Sequence, residues 1–313
     1  MSDRSAVLAV DIGGSHATCA LVRGGEILAW EHIDIADARR LQPVLGGIAG
    51  SVNRLRTDAH ECRGIAFSFP GIVDPITARV LSTPKDKFAD SRDLDLRGWC
   101  AHEFGLPCAI ENDARMALLG ERHAGAAAGC DDVVMVTLGT GVGGAAMIGG
   151  RLLRGRHFQA GCLGGHLPVR FDGRRCICGA VGCVETEASG WALPEICRTW
   201  PGFEDSTLAR SPACNFAVLF AAAAGGDPVA LEIRRHCLRV WGVGLVGMIH
   251  AYDPELIVMG GAVMGSAEQI LPALREHVAT EAWTPWGTVR VAAAALGNHA
   301  ALLGAIPLLD GIC

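Results

Sequence analysis

Residues 6–15 read Ala-Val-Leu-Ala-Val-Asp-Ile-Gly-Gly-Ser, an apolar run that ends in an aspartate and a pair of glycines. A short apolar run bounded by turn residues predicts a buried strand, here over residues 6–10. Residues 17–22 and 26–33 are the next two predicted strands, and the glycine pair between them is a hairpin signal. Glycines let the backbone come close to an anion, and successive N–H groups can form an anion-binding nest. The alternative is an ordinary turn between two strands.

Strand, glycine turn and strand follow each other a second time. Residues 132–138 predict a strand, residues 138–144 read Leu-Gly-Thr-Gly-Val-Gly-Gly, and residues 144–148 predict the next strand. Thr140 offers a hydroxyl to a phosphate oxygen, whereas Asp11 in the first turn is a candidate ligand for a hydrated magnesium ion. The second turn is neither a Walker A loop nor a dinucleotide fingerprint, because it lacks Gly-Lys-Ser/Thr and a strand follows it. The repetition predicts two related halves that face one cleft; a bulged hairpin is the alternative.

A carboxylate and an amide stand where a predicted strand over residues 107–110 passes into a predicted helix over residues 114–124. The three residues are Glu111-Asn112-Asp113. Open sheets place ligands at strand ends, and a carboxylate there can accept a proton from a hydroxyl nucleophile. The Asn112 amide can both donate to and accept from a polyol. The alternative is that Asp113 only caps the helix.

A histidine and three cysteines follow at compact spacing. One imidazole and three thiolates are the donor set that closes a tetrahedral zinc shell. Turn residues between the cysteines suit a wrapped loop, whereas buried or redox-active cysteines are the alternative. A saturated shell leaves no open position, so we expect the zinc to be structural. The predicted ligands are His166, Cys176, Cys178 and Cys183.

Two carboxylates, Glu185 and Glu187, come directly after the last cysteine. A loop fixed by zinc would hold one of them rigidly, as a polyol-binding group must be held. We expect Glu185 to take this role. For Glu187, a solvated surface carboxylate is the expectation.

Composition limits the class of protein. The 313 residues suffice for two domains, half of them are hydrophobic, and the net charge of −6 argues against a nucleic-acid-binding face. No secretory signal precedes the first apolar run, so the 13 cysteines are expected to be reduced or metal-bound in the cytoplasm. The longest apolar stretch, residues 240–252, is too short to span a bilayer, so no membrane partner is expected.

The other expected elements come from periodicity and from glycine and proline punctuation. A helix over residues 38–56 tolerates Pro43 only near its first turn. The remaining predicted helices are residues 188–198, 215–223, 228–251, 268–278 and 300–309, and the remaining strands are 64–69, 255–259 and 289–293.

In this order, the Asp11 turn, Glu111-Asn112-Asp113, the 138–144 turn and the cysteine loop resemble the ROK family of bacterial sugar kinases and regulators. The resemblance spans nearly the whole chain. It implies an α/β, two-domain, actin-like ATPase (ribonuclease H-like) fold with a cleft between the domains. Residues 1–118 would form a small N-terminal domain, on which a C-terminal helix near residues 300–313 packs. Residues 119–299 would form the larger domain, with the zinc loop at 166–183.

The resemblance also implies a role for each matching position. Asp113 matches the general base that deprotonates the attacking sugar hydroxyl. The substrate contacts are Asn112, Glu185, His166 and Gly71. The positions for the nucleotide phosphates are Asp11, Gly13, Gly14, Gly139, Thr140 and Gly141, with Gly260 and Gly261 beside the adenosine.

The implied activity is transfer of a phosphoryl group from Mg-ATP to a hydroxyl of a hexose or N-acetylhexosamine, with zinc as a structural metal. The resemblance alone suggests a homodimer or homotetramer. A catalytically silent sugar-binding or sugar-sensing ROK protein is the alternative. Repressors of the family carry an N-terminal helix-turn-helix, for which the position of Asp11 leaves no room.

Two positions depart from the family pattern. Leu163 stands where the family usually has a glutamate three residues before the zinc histidine, and Pro84-Lys85 replaces a common Pro-Asn. Both lost groups would contact sugar hydroxyls. The departures therefore favour a sugar other than glucose.

Overall fold

The computed structural model describes residues 5–56, 61–83 and 87–311. Contacts group the chain into two compact units. The first unit contains the chain up to Gly129, then Gly150–Ala160, and then the chain from Ala295 onward. The second contains Cys130–Gly149 and Gly161–Ala294. None of the helices in the described ranges is long and apolar enough to cross a membrane.

The first unit is built on a five-stranded sheet of order β3-β2-β1-β4-β7. Strands β1, β4 and β7 are parallel, whereas β2 pairs antiparallel with both β1 and β3. Its elements are β1 Ala6–Ile12, β2 His16–Arg23, β3 Glu26–Asp34, α1 Gln42–Leu55, β4 Cys62–Phe69, β5 Ile72–Asp74, β6 Arg79–Ser82, α2 Leu96–Phe104, β7 Cys108–Asn112, α3 Asp113–Ala124, β10 Arg151–Leu152, α9 Ala300–Leu303 and α10 Ala305–Leu309.

The second unit contains the strand order β9-β8-β11-β12. Strand β8 pairs antiparallel with β9 and parallel with β11, and β11 pairs parallel with β12. Its elements are β8 Val133–Leu138, β9 Val142–Ile148, α4 Val184–Ala188, α5 Leu193–Arg198, α6 Phe216–Ala224, α7 Pro228–Tyr252, β11 Leu256–Gly260, α8 Ala267–Glu281 and β12 Arg290–Ala293.

The strand order β2-β1-β4-β7 of the first unit repeats as β9-β8-β11-β12 in the second, with the same parallel and antiparallel pairings. Each central strand, β1 or β8, ends in a glycine turn that begins a hairpin. The α/β class and the duplicated strand–turn–strand unit predicted from the sequence are therefore confirmed.

Apolar side chains of the strands and of α1 form the core of the first unit. In α1, the buried residues recur at helical spacing along one face. Leu8, Ile48 and Phe67 are among the residues with at most 1% exposure. This packing holds β1 rigidly and so fixes where its carboxyl end lies.

The structure corrects several predicted elements. The helix expected over residues 188–198 is shorter, because α5 begins only at Leu193 and Ala188 is the last residue of the separate helix α4. The backbone between the two helices bonds residues 139 and 140 instead. Helix α1 begins at Gln42, where Asp90 accepts the N–H groups of Leu41 and Gln42 at 2.6 and 3.0 Å. The strand expected from residue 144 begins at Val142.

Helix α2 and the β5–β6 hairpin were not predicted. Helix α2 begins at its N-cap Asp95, whose side chain accepts the Gly98 N–H, and it ends at Gly105 in the left-handed conformation. A glycine inside so short a helix weakens its periodic signal.

The domain boundary expected at residues 118 and 119 falls inside α3. This helix belongs entirely to the first unit. The helices α9 and α10, near the C-terminus, belong to the first unit too, where α9 packs on α3. The exact domain bounds remain a prediction.

Candidate functional site

Polar residues form a row across the three parallel strands of the first unit. Asp11 of β1 pairs with Ser68 of β4, and Ser68 pairs with Glu111 of β7. One step farther along, Phe69 pairs with Asn112. Carboxyl ends of parallel strands lie on one edge of a sheet. The pairing therefore brings two motifs that are 100 residues apart in sequence, the Asp11 turn and Glu111-Asn112-Asp113, to the same edge.

Asn112, and not Asp113, is the N-cap of α3. Its Oδ1 accepts the N–H groups of Ala114 and Arg115 at 3.1 and 3.2 Å, and its Nδ2 donates to the Gly71 carbonyl at 3.0 Å and to Asp113 Oδ1 at 2.8 Å. The alternative that Asp113 is only the helix cap is wrong. The Asn112 amide thus bonds both the Gly71 carbonyl and the Asp113 carboxylate.

Asp113 stands at the first position of α3 with one oxygen fixed. Its Oδ1 accepts the Ala114 N–H at 2.8 Å as well as the Asn112 amide. The side chain is exposed, yet the protein atoms around it and, to a smaller degree, the charge of Asp11 raise the pKa of its carboxyl to about 6. Burial also raises the pKa of the Asp11 carboxyl. A carboxyl poised near neutral pH suits a general base.

A buried ion network lies behind this motif, and sequence reasoning did not find it. Glu111 and Arg115 are fully buried and bonded at 3.2 Å, and Arg154 donates to the second Glu111 oxygen at 2.7 Å. Arg115 also donates to the carbonyls of Leu153 and Ala160 at 3.1 and 2.7 Å. The available signal was a Glu and an Arg four residues apart, with Glu111 at the end of β7 and Arg115 in the first turn of α3.

The glycine turn of the second unit is bonded to the segment after α4. Gly139 N–H donates to the Gly141 carbonyl at 3.0 Å, which closes the turn. From outside the turn, Gly190 N–H donates to the Gly139 carbonyl at 3.0 Å and Trp191 N–H to the Thr140 carbonyl at 2.9 Å. These bonds explain why the helix predicted over residues 188–198 is interrupted.

Gly260 and Gly261 lie beside this turn within the second unit. Gly260 pairs with Thr137 across β11 and β8. Gly261 has a φ of +88°, and an added Cβ would collide with the Leu138 backbone. A glycine is therefore required where the two loops meet.

Glu185 supports the same turn from α4. It is 9% exposed, and its Oε2 accepts the Val142 N–H at 2.9 Å. A Cβ added at Gly141 would lie 2.6 Å from this oxygen. A carboxylate expected to bind substrate thus also fixes the backbone at the end of the glycine turn.

The four predicted metal ligands form one cluster in the second unit. One donor atom from each lies within 4.8 Å of all the others. Cys176 Sγ is 3.5 Å from His166 Nδ1, and Cys178 Sγ is 3.7 Å from Cys183 Sγ. Tetrahedral bonds of about 2.0–2.3 Å to zinc would separate such donors by roughly 3.3–3.8 Å. The donor set and its spacing therefore fit the metal.

Glu187 is not the surface carboxylate that was expected. It is completely buried, its Oε1 accepts the Arg174 N–H at 2.6 Å, and its Oε2 lies 3.3 Å from Arg174 Nη1. The expectation failed because α4 turns this side chain toward the preceding loop. Of the two departures from the family pattern, Leu163 is 37% exposed immediately before the 3₁₀ helix Gly164–His166, and Pro84-Lys85 lies outside the described residues.

Comparison with known proteins gives a consistent result. The sequence profile of the ROK family matches residues 7–311. A glucokinase of Thermotoga maritima is 32% identical over 310 residues, which cover 97% of this chain and 96% of that protein. A ROK family glucokinase from Streptomyces griseus, solved in complex with glucose and AMPPNP, is 32% identical with a TM-score of 0.81, covering 98% of this chain and 100% of that chain. The DNA-binding transcriptional dual regulator NagC of Escherichia coli is 26% identical, over 96% of this chain and 74% of its own length.

Proposed function

Because the chain belongs to the ROK family, we propose that it is an ATP-dependent kinase that phosphorylates a hydroxyl of a hexose or N-acetylhexosamine. The observation that carries the proposal is the state of Asp113. One of its oxygens is fixed by two hydrogen bonds, and the pKa of its carboxyl is raised to about 6. A sugar-binding protein without catalysis has no need of a carboxylate poised in this way.

Asp113 is the proposed general base. Two N–H donors engage Oδ1, so Oδ2 is the oxygen that would accept the hydroxyl proton. Above pH 6 the carboxyl is ionised and can take that proton as the new P–O bond forms. The Asn112 side chain holds the carboxylate in place through its own bonds to Gly71 and α3.

The glycine turns are the proposed phosphate sites. In the first turn we assign Gly13 and Gly14 to the phosphates and Asp11 to a hydrated Mg²⁺, which when bound would neutralise phosphate oxygens. In the second turn we assign Gly139, Thr140 and Gly141. Two bonds from residues 190 and 191 hold the carbonyls of Gly139 and Thr140, and Glu185 accepts the neighbouring Val142 N–H. A backbone fixed before ATP binds loses less entropy on binding. Gly260 and Gly261 are the proposed neighbours of the adenosine.

The proposed sugar contacts are Asn112, Gly71, Glu185 and His166. Glu185 has one oxygen engaged with the Val142 N–H, so Oε1 is the oxygen that would accept from a sugar hydroxyl. His166 would bind zinc through Nδ1, the nitrogen that faces Cys176, and offer Nε2 to the sugar. The metal loop would in this way orient a substrate contact.

Zinc is proposed as a structural metal held by His166, Cys176, Cys178 and Cys183. When bound, it supplies cross-links between the two ends of the 166–183 loop and takes no part in phosphoryl transfer. The expected test is one zinc per chain by elemental analysis of the purified protein. Cys178→Ser should lose the metal, whereas Cys62→Ser, outside the cluster, should retain it; equal zinc in both variants would refute the assignment.

A sugar-sensing protein that does not turn over is the second candidate. Similarity to NagC and the apolar Leu163 beside the metal histidine favour it. The two candidates differ in ATP consumption.

A coupled assay of ADP release across hexoses, hexosamines and N-acetylated sugars tests the kinase. We expect ADP release that requires one of these sugars, together with its phosphate ester detected by mass spectrometry. Binding of a sugar by calorimetry with no ADP release under any condition would favour the sensor and end the kinase proposal.

A further inference from the structure

The short helix α4 carries two buried carboxylates that point to opposite sides. Residues two apart on a helix do not share a face. Glu185 reaches the Val142 N–H at the glycine turn, whereas Glu187 reaches back to Arg174 in the segment between His166 and Cys176. We refer to residues 166–183 as the Cys/His loop. Glu187 is a buried carboxylate that the proposed reaction and metal site do not use.

Glu187 lies among two arginine side chains and a histidine. Its Oε2 is 3.3 Å from Arg174 Nη1, 3.6 Å from Arg170 Nη1 and 3.8 Å from His236 Nε2. Two of these groups belong to the Cys/His loop, and His236 belongs to α7. A buried carboxylate removed from such a cluster would leave cations facing each other with no counter-charge.

Hydrogen bonds to backbone groups also join α4 to the Cys/His loop and to α7. Glu187 Oε1 accepts the Arg174 N–H at 2.6 Å, and the Arg174 carbonyl accepts the Gly182 N–H at 2.8 Å. The His236 ring also lies 3.0 Å from the Glu187 carbonyl. At the end of α4, Trp241 Nε1 donates to the Ala188 carbonyl at 2.9 Å, so the helix itself is held on α7.

We propose that Glu187 is a positioning residue. It anchors the Cys/His loop to α4 and α7 even when no metal is bound. This inference rests on the metal site proposed above. Arg174, whose N–H bonds Glu187, lies midway in sequence between His166 and Cys183. This bond keeps the loop in shape when its cysteines bind no metal. The metal then binds a site that is already formed, which lowers the entropy cost of binding.

Limited proteolysis of the full-length, metal-free protein tests the anchor. Trypsin can cut after Arg170, Arg174 and Arg175, and mass spectrometry identifies those fragments. Cleavage from a locally opened loop follows the population of the open form. We expect the wild-type loop to resist, and the loop of Glu187→Ala to be cut about a hundredfold faster. The variant lacks the buried carboxylate that accepts the Arg174 N–H and faces Arg170 and Arg174.

Two variants serve as comparisons. Glu195→Ala removes an exposed carboxylate paired with the exposed Arg198 in the same unit, and its loop should be cut at the wild-type rate. Glu187→Gln keeps an acceptor for the Arg174 N–H but loses the charge, so its rate should lie between those of wild type and Glu187→Ala. If Glu187→Ala cannot be purified, the Gln variant decides: a rate above that of Glu195→Ala supports the anchor, and an equal rate overturns it.

A general loss of stability is separated from loop opening by two further readouts. Thermal midpoints report the whole fold, whereas loop fragments formed well below the midpoint report local opening. Zinc release into a chromogenic chelator should be faster from Glu187→Ala than from Glu195→Ala. Loop cleavage of the metal-free wild type as fast as that of Glu187→Ala would overturn the proposal. The assay uses neither ATP nor sugar, so an inactive kinase leaves its outcome unaffected.

Discussion

The turn after β1 and the turn after β8 occupy the same place in two sheets of the same strand order, but different contacts hold them. In the first turn, Gly13 N–H donates to the His16 carbonyl across the hairpin, and a Cβ added at Gly14 would meet nothing within 4 Å. In the second, the carbonyls of Gly139 and Thr140 accept bonds from the segment after α4. A shared strand order thus fixes where a turn lies, whereas the packing behind it fixes how rigid it is.

The two turns also differ in charge. Asp11 pairs with Ser68 at the end of β1, whereas the end of β8 offers Thr137 paired with Gly260. A carboxylate attracts a cation, whereas the backbone N–H groups of a neutral glycine turn can attract an anion. We therefore propose a magnesium ligand beside the phosphate contacts at the first turn, and phosphate contacts by a more rigid backbone at the second.

The largest effect is expected when the proposed base, Asp113, is removed. Asp113→Asn should lower kcat by about a thousandfold, because the amide cannot accept the hydroxyl proton. Sugar affinity, measured by calorimetry, should change little. Asp93→Asn, an exposed substitution of the same kind in the first unit, should retain full activity. Normal turnover by Asp113→Asn would show that Asp113 is not the general base.

A smaller effect is expected from one methyl group added in the second turn. In Gly141→Ala the new Cβ would lie 2.6 Å from Glu185 Oε2, so the bond of Glu185 to the Val142 N–H must give way. Overpacking in the turn disturbs this bond. We expect a KM for ATP that is about tenfold higher, which corresponds to about 1.4 kcal/mol.

Gly46→Ala, in α1 and away from both turns, is the matched control. Its Cβ has open space, so the KM for ATP should remain within about twofold of wild type. Equal KM values for the two variants, measured by steady-state kinetics, would show that the contacts behind the second turn do not matter for nucleotide binding.

The smallest effect concerns pH. Because the pKa of Asp113 is about 6, kcat/KM should fall as the pH drops through 6 and the base becomes protonated. The negative charge of Asp11 contributes to that raised pKa. In Asp11→Asn the fall of kcat/KM at acidic pH should occur at a lower pH than in wild type. This shift is expected even where the substitution also lowers the maximum kcat/KM. An unmoved limb would show that the two carboxyl groups do not interact.

The same shift has a consequence for stability. The pKa of Asp113 is raised from its ordinary value of 3.8, so the folded protein disfavours the ionised carboxyl. Stability is therefore lost as the pH rises from about 4 through about 6. Asp113→Asn should raise the thermal midpoint at pH 7 relative to wild type, and the difference should vanish near pH 4.

Local patterns in the sequence predicted much of this molecule. The apolar run before Asp11 and its counterpart before Gly139 predicted the two central strands, because a buried strand needs continuous apolar residues. The spacing of the three cysteines and His166 predicted their meeting, because a short loop brings its own ends together. The expectation for Glu187 failed, since its burial depends on how α4 packs on α7, which no local pattern records.

The role of Asn112 was also beyond the sequence. Either Asn112 or Asp113 has the chemistry of an N-cap. The choice depends on the backbone angles where β7 ends, and those follow from its pairing with β4. The same holds for Arg115, whose full burial beside Glu111 is acceptable only because Leu153 and Ala160 come from a distant segment to accept its N–H groups.

The chain alone thus determined the family, the two glycine turns, the acidic motif and the metal donors, all of which depend on residues close together in sequence. Tertiary structure alone decided which carboxylates are buried, which oxygen of each is engaged and which turn is held from behind. Those properties depend on desolvation and hydrogen bonds between distant segments, and both arise only when the units fold.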